Sequence, residues 1–390
     1  MEDEKMAVKE LKVEPEPTPI TRRERQNRAS LLAELLERHR GERHAIVLQD
    51  YPDPDAISSA FAHRLISARF EIEADLLYKG RISHQENRAL VQLVEVPLVR
   101  ISDETQLKDY QYSVFVDNQG TTSSLTPMLA RLGIKPLVIV DHHEIQDVIH
   151  AEFEDIRKIG ATATIYTEYL RDGLLDLDRS NTTHVRLATA LMHGLRSETN
   201  GLIHARQEDM EAATFLTPFI DASLLDQILH IKRSKRVMDI IRDALANRMV
   251  VENYSISGIG FLRAEDRDGI PQAADFLMTE ENVHTAIVYG IVFKEEGEAL
   301  IGSMRTTKLT LDVDEFLKDA LGGRERGHYY GGGRRGAGGF EIPIRFLAGQ
   351  FDEEMMALKW KIYDEVIKRK LLAKIGVSAP KPAGEGSKKQ

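Results

Sequence analysis

Cysteine is absent from all 390 residues, which excludes disulfides and thiolate-held metal. Any metal ion here must be held by carboxylate or imidazole. Long apolar runs are also missing. None approaches the ~18–20 residues that a bilayer span needs, so no membrane partner is expected. Excess positive charge is lacking too, because the formal net charge is −10. A protein coating duplex DNA by charge alone is usually basic, so small or short substrates are favoured. The first residues, "MEDEKMAVKELKVEPEPTP", hold no apolar core and do not read as a secretory signal. A reducing, cytoplasmic setting is the expectation.

The composition is otherwise that of a globular protein, 42% hydrophobic and 29% charged with 6% aromatics. Residues 1–24 and 377–390 lack periodicity and read as disordered tails. Between them, "HAIVLQ", "IEADLLY", "YSVFVD" and "KPLVIVD" read as strands, separated by amphipathic helical stretches. That order, with continuously apolar strands, predicts an α/β fold with a parallel sheet covered by helices on both faces, over 25–230. A charged helical stretch over 231–250 reads as a linker. Strand and helix patterns resume over 251–349 as a second, smaller α/β domain, and a C-terminal helix follows over 350–376.

Acid is concentrated at the ends of the predicted strands. Asp50, Asp53 and Asp55 follow "AIVL"; Asp117 follows "SVFV"; Asp141 follows "LVIV", with His142 and His143 directly behind it. In open α/β sheets the ligand site lies at the carboxyl ends of the strands. Neighbouring strands are ~4.8 Å apart, so these acids converge in one crevice. A lone aspartate after a strand is usually a turn residue or helix cap; the same placement at three strands is not explained that way. Converging carboxylates need something positive among them. Oxygen and imidazole donors suit magnesium, manganese, iron or cobalt, and two such ions would activate water and clamp a phosphoryl group.

These residues, in this order, resemble the DHH phosphoesterases. "PDPDAISS", "VFVDNQ", "DHH" at 141–143, "GATATIYTEYL" and "GLRSETNGL" follow the family's motif order, and "GSMRTT" and "GGGRRGAGGFEIPI" resemble the DHH-associated domain. The resemblance covers roughly 44–347. It implies a dinuclear centre, usually two Mn2+, with Mg2+ or Co2+ as alternatives. Asp53 and Asp55 would each serve one ion, Asp117 would bridge them, and His142 would ligate the second. His143 would face the scissile phosphate, and Asp141 would orient the histidines. Two positions depart from the pattern: Gln49 stands where most relatives have histidine, and Glu198 where aspartate is expected. Both are carried as metal-site residues. His193 is a candidate compensating ligand, although a packed or surface histidine is the plainer reading.

In the second domain the glycines of "GGGRRGAGG" suit close approach to phosphate, and guanidinium forks pair bidentately with it. Gly331, Gly332, Gly333, Arg334 and Arg335 are therefore expected to bind substrate. The resemblance adds Arg305 as the grip on a terminal phosphate, with His328 nearby and hydrolysis at the interdomain cleft. The implied activity is metal-dependent hydrolysis of short oligoribonucleotides, 3′-phosphoadenosine 5′-phosphate, or linear or cyclic dinucleotides. The layout most resembles the nanoRNase and phosphoadenosine-phosphate phosphatase group. A single-strand exonuclease and a catalytically weakened nucleotide sensor stay open; Gln49 and Glu198 favour the sensor, and the intact set of Asp53, Asp55, Asp117, Asp141, His142 and His143 favours the enzyme. Expected partners are short single-stranded RNA or a nucleotide, with a homodimer as one open state.

Overall fold

The computed structural model describes residues 22–82, 84–294, 297–323, 329–334, 336–349 and 351–377. The expected tails up to residue 21 and from 378 lie outside them, as do Arg335 and His328, and the Arg334 side chain is likewise outside. The chain divides into two compact units, Met1–Ile231 and Lys232–Gln390.

Unit 1 runs α1 (Arg22–Arg38), β1 (Arg43–Val47), α2 (Pro54–Arg69), β2 (Glu73–Tyr78), α3 (Gln85–Val94), β3 (Leu98–Arg100), β4 (Tyr112–Val116), α4 (Thr126–Arg131), β5 (Lys135–Asp141) and β6 (Phe153–Ile156). Four helices follow: α5 (Thr162–Arg171), α6 (Thr182–Glu198), α7 (Gln207–Leu216) and α8 (Ala222–Leu229). Its six strands form one parallel sheet in the order β3-β2-β1-β4-β5-β6. The period-2 alternation of side chains sorts the apolar residues onto two faces. Ile46, Val114, Val116 and Val140 join the core under α1, α2, α5 and α6. Ala45, Val47, Phe115 and Ile139 face the other way, onto Leu125 and Leu129. The strand order reverses between β1 and β4, a topological switch point at which such sheets bind ligands.

Two short strands, β3 and β6, were not predicted. With three and four residues, they are too short for a periodicity to register.

Unit 2 contains α9 (Lys235–Asn247), β7 (Met249–Val251), β8 (Tyr254–Arg263), α10 (Gly269–Leu277), β9 (Thr285–Lys294), β10 (Gly297–Thr306), α11 (Val313–Leu321), β11 (Gly331–Arg334), β12 (Ala337–Ile344) and α12 (Glu353–Ile375). Its sheet, β11-β12-β10-β9-β8-β7, is mixed, with β8 and β9 parallel and the other pairs antiparallel. The stretch expected as a linker is largely α9, and its apolar face is built into this unit. Val237, Ile240, Ile241 and Ala244 pack with α10 against one side of the sheet. Its many charges lie on the other face, which is why it reads as a linker by composition.

The glycine-rich run, expected to suit close approach to phosphate, forms two paired strands, with Gly332 opposite Gly339 and Gly333 opposite Gly338. A Cβ on Gly333 would lie 2.6 Å from Val313 Cγ1, and one on Gly338 2.4 Å from the same atom. The glycines let α11 sit directly on the strand backbones, and the Gly333 N–H donates to Asp314 Oδ1 at 3.1 Å.

Candidate metal centre

The acids at the switch point are placed by ordinary helix-starting rules. Asp53 is the N-cap of α2, accepting from the Ala56 N–H at 2.9 Å, with Pro54 in the first helical position. Asp55 lies in the first turn and is fully buried. Its two oxygens accept the N–H groups of Thr162 and Ala163, each at 2.7 Å, so the start of α5 points at the start of α2. Gly194 permits this crossing on the α6 side. A Cβ there would lie 2.4 Å from Ser58 Oγ and 2.9 Å from the Pro54 carbonyl.

Asp117 ends β4 in the left-handed region at φ 58°, a conformation Asp tolerates better than most residues. Its Oδ1 accepts from Thr162 Oγ1 at 2.8 Å and its Oδ2 from Gln49 Nε2 at 2.9 Å. Gln49, expected as a metal-site residue, is thus a hydrogen-bond donor to the carboxylate at the centre of the group. Asn118 fixes the turn by donating to the Val47 and Val116 carbonyls, both at 3.0 Å.

The histidines are oriented differently from each other. His143 Nδ1 is 2.8 Å from Asp141 Oδ1, and Gln119 Nε2 donates to Asp141 Oδ2 at 2.6 Å. Burial pushes the Asp141 carboxyl up, but these hydrogen bonds outweigh it and hold it below its ordinary value. The same bond to Asp141 raises His143. His142 instead sets Nδ1 against the Ile159 carbonyl at 3.2 Å. Its Nε2 is buried without a hydrogen-bond partner, 3.5 Å from Asp117 Oδ1 and 3.8 Å from Asp55 Oδ2. Burial and the neighbouring His143 lower its pKa.

The electrostatics are strained in one direction. Burial, then Glu198 and Asp53, drive the Asp55 carboxyl well above its ordinary value. Burial, then Asp53, Asp55 and Asp141, do the same to Asp117. With Nδ1 donating to Ile159, the His142 Nε2 presents a lone pair toward two carboxylates. Three acceptors facing one small space fit a cation. Donor atoms of Asp117, His142 and His143 all lie within 4.8 Å of one another. The donor set therefore fits a divalent metal: Asp117, His142 and His143 come together, Asp55 stands 3.8 Å from His142 Nε2, and Asp53 is near enough for its charge to act on Asp55 and Asp117.

The remaining expectations are distributed as follows. Glu198 is the last residue of α6, near enough for its charge to act on Asp55 and His143. Asp50 is engaged elsewhere, accepting from the Ser124 N–H at 2.9 Å and from the Ser124 hydroxyl. His193 is buried 3.4 Å from Glu86, and burial takes its pKa down to about 4. Arg305 is on β10 in unit 2, paired with Asp275 at 2.7 Å. The register places Arg305, Ala337 and Arg334 in one row across β10, β12 and β11.

Sequence reasoning gave no role to Thr162, Gln119 or Asp209. Thr162 stood inside the quoted "GATAT" and Gln119 two residues after Asp117, so both had a positional signal. Asp209 had none. It lies on α7, accepts from Thr164 Oγ1 at 2.6 Å, and leaves no room for a Cβ on Gly160, which would fall 2.0 Å from its Oδ2. It clamps the turn that delivers the α5 N-terminus to Asp55.

No family model matches the chain. An uncharacterised protein of Methanocaldococcus jannaschii is 35% identical over 329 residues, which is 84% of this chain and 63% of that protein. An A-adding tRNA nucleotidyltransferase of Aquifex aeolicus is 24% identical over 224 residues, 57% of this chain and 25% of that protein. The chain thus spans less than two thirds of the length of either relative. Among solved structures, an exopolyphosphatase-related protein from Bacteroides fragilis superposes with a TM-score of 0.63 at 14% identity, covering 88% of this chain and 98% of that one. The chain carries the fold of the DHH phosphoesterases, as its ordered motifs implied.

Proposed function

We propose that this protein is a metal-dependent phosphoesterase of the DHH family, acting on short oligonucleotides or small nucleotides. The observation that carries the reading is the unpartnered His142 Nε2 buried against Asp55 and Asp117. A divalent ion held there, with manganese first among the candidates, would supply Lewis-acid polarisation of a phosphoryl oxygen and a more acidic water.

The chain's own residues do the rest. Asp55 is held in place by the two N–H groups of α5, and Asp117 by Thr162 and Gln49, so neither needs to reorganise when a cation arrives. His143, with Nδ1 fixed on Asp141, keeps its other nitrogen for a phosphoryl oxygen, and its raised pKa favours the protonated, donating form. Asp141 accepts from the backbone N–H of His142 at 2.8 Å as well, so one carboxylate orients both histidines.

Gln49 and Glu198 sustain a second reading, a nucleotide-binding protein with weakened catalysis on the same fold. Gln49 offers an amide to Asp117 rather than an imidazole to a metal. The deciding experiment measures product release from 5′-pApA, longer oligoribonucleotides, 3′-phosphoadenosine 5′-phosphate and cyclic di-AMP, with and without manganese. Manganese-dependent mononucleotide release, lost in Asp117→Asn, is the expected result. Metal-dependent stabilisation without turnover on any substrate would favour the sensor instead.

A further inference from the structure

Many arginines in this chain have acidic partners. Arg43 pairs with Asp75, Arg131 with Glu104, and Arg186 with Glu95. Arg81, Arg88 and Arg100 do not: none of them is ion-paired to a carboxylate among the described residues. Yet all three line one open pocket of about 320 Å³ in unit 1, together with Tyr78, Ile82 and Val91. In a chain of net charge −10, three guanidiniums lining one pocket with no carboxylate among its lining residues make a positive patch that attracts an anion.

The pocket is fastened to the candidate metal centre. The Arg81 N–H donates to the Asp50 carbonyl at 3.0 Å, and Asn87 Nδ2 donates to the Pro52 carbonyl at 3.2 Å. A Cβ on Gly80 would fall 2.0 Å from the Asp50 oxygen, so only glycine lets the turn after β2 lie against the loop that carries Asp53. Tyr78 and Arg100 end β2 and β3, which stand one and two places from β1 in the sheet. The offset is therefore ~5–10 Å along the same carboxyl edge.

We propose that this pocket is a subsite for phosphates of the substrate chain beyond the one that is cleaved. It rests on the phosphoesterase reading of the neighbouring centre and extends it: the preferred substrate has several phosphates, not one. Guanidinium forks bind phosphate bidentately, and Tyr78 offers a ring for a base, the usual combination for single strands. The shared chemistry is a chain of phosphates, supplied by an oligonucleotide or by inorganic polyphosphate.

The test is binding without turnover, in EDTA, of a fluorescein-labelled octaribonucleotide to the full chain, with inorganic tripolyphosphate as competitor. Arg81→Gln/Arg88→Gln and Arg100→Gln are compared with wild type. The double variant should weaken octamer binding by about tenfold or more and reduce the salt slope by ~0.7 for each phosphate that is no longer neutralised. The loss for a dinucleotide should be smaller. Unchanged affinity and slope in the variants would overturn the proposal, as would a wild-type chain that binds neither probe. Competition by tripolyphosphate as strong as by unlabelled RNA assigns the site to phosphate alone; RNA-only competition assigns it to nucleotides. Thermal midpoints close to wild type exclude misfolding. Dinucleotide hydrolysis is measured separately. Its absence together with absence of octamer hydrolysis in manganese, with octamer binding intact, would sink the phosphoesterase reading and leave the pocket standing as a phosphate-chain binder.

Discussion

The candidate metal centre of unit 1 treats buried charge differently from unit 2. In unit 2, Lys359 meets Glu298 with both side chains buried, and Tyr289 donates to Asp364, which also holds Lys368. Unit 1 can do the same. Arg157, buried among acids, pairs with Asp155 and Glu168 at 2.8 and 2.7 Å, and the Tyr169 hydroxyl donates to Asp155 at 2.6 Å. Asp55 and Asp117 are as deeply buried and have no arginine or lysine partner among the described residues, only His142 beside both and His143 3.9 Å from Asp117. The contrast within one unit teaches more than the acids alone. A fold that meets Asp155 and Glu168 with Arg157 meets these two with hydrogen bonds and histidines, an arrangement that a bound cation would complete.

The contrast can be broken at its paired side first. Arg157→Met leaves Asp155 and Glu168 buried without their cation and should cost about 3–5 kcal/mol, as should Lys359→Met in unit 2. Urea denaturation measures both, and a loss below about 1 kcal/mol would show that these pairs are not what holds the buried acids. The next effect is pH dependence in unit 1. Burial lowers the His63 pKa to about 3, against ~6.5 unfolded. A depressed folded value means that stability is complete above ~6.5 and lost as pH falls toward 3. At pH 5 the loss from His63 is about 2 kcal/mol, and His63→Gln should flatten that slope in thermal unfolding between pH 7 and 5. The smallest effect has the opposite sign. In metal-free protein, Asp117→Asn removes a repelling charge and should raise stability by about 1 kcal/mol, while abolishing stabilisation by manganese. A variant destabilised without metal would mean that Asp117 is already neutralised.

Most of the fold was legible because its strands are continuous apolar runs between amphipathic helices. The candidate site was legible because Asp117 and Asp141 stand at strand ends and Asp53 and Asp55 at the start of the helix that follows β1. What could not be read were contacts between distant segments. Thr162 reaching Asp117, the α5 N–H groups closing on Asp55, and Asp209 pinning the turn before them all join residues at least 45 apart. No local pattern encodes these. The pairing of the glycine-rich run was not legible for a related reason: glycine permits close approach without saying to what, and here one neighbour is Val313 of α11.

The left-handed backbone at Asp117 has a consequence for how this chain can drift. If the chain is the phosphoesterase proposed, two filters act on one position: the carboxylate is needed for chemistry, and the backbone accepts few side chains at φ 58°. Glutamate would keep the charge and fail the second filter; asparagine or glycine would pass it and lose the chemistry. Descendants that abandon catalysis should therefore carry Asn or Gly at 117 on an otherwise intact fold. Silenced copies would then be recognisable by that single exchange, long before the rest of the sequence has decayed.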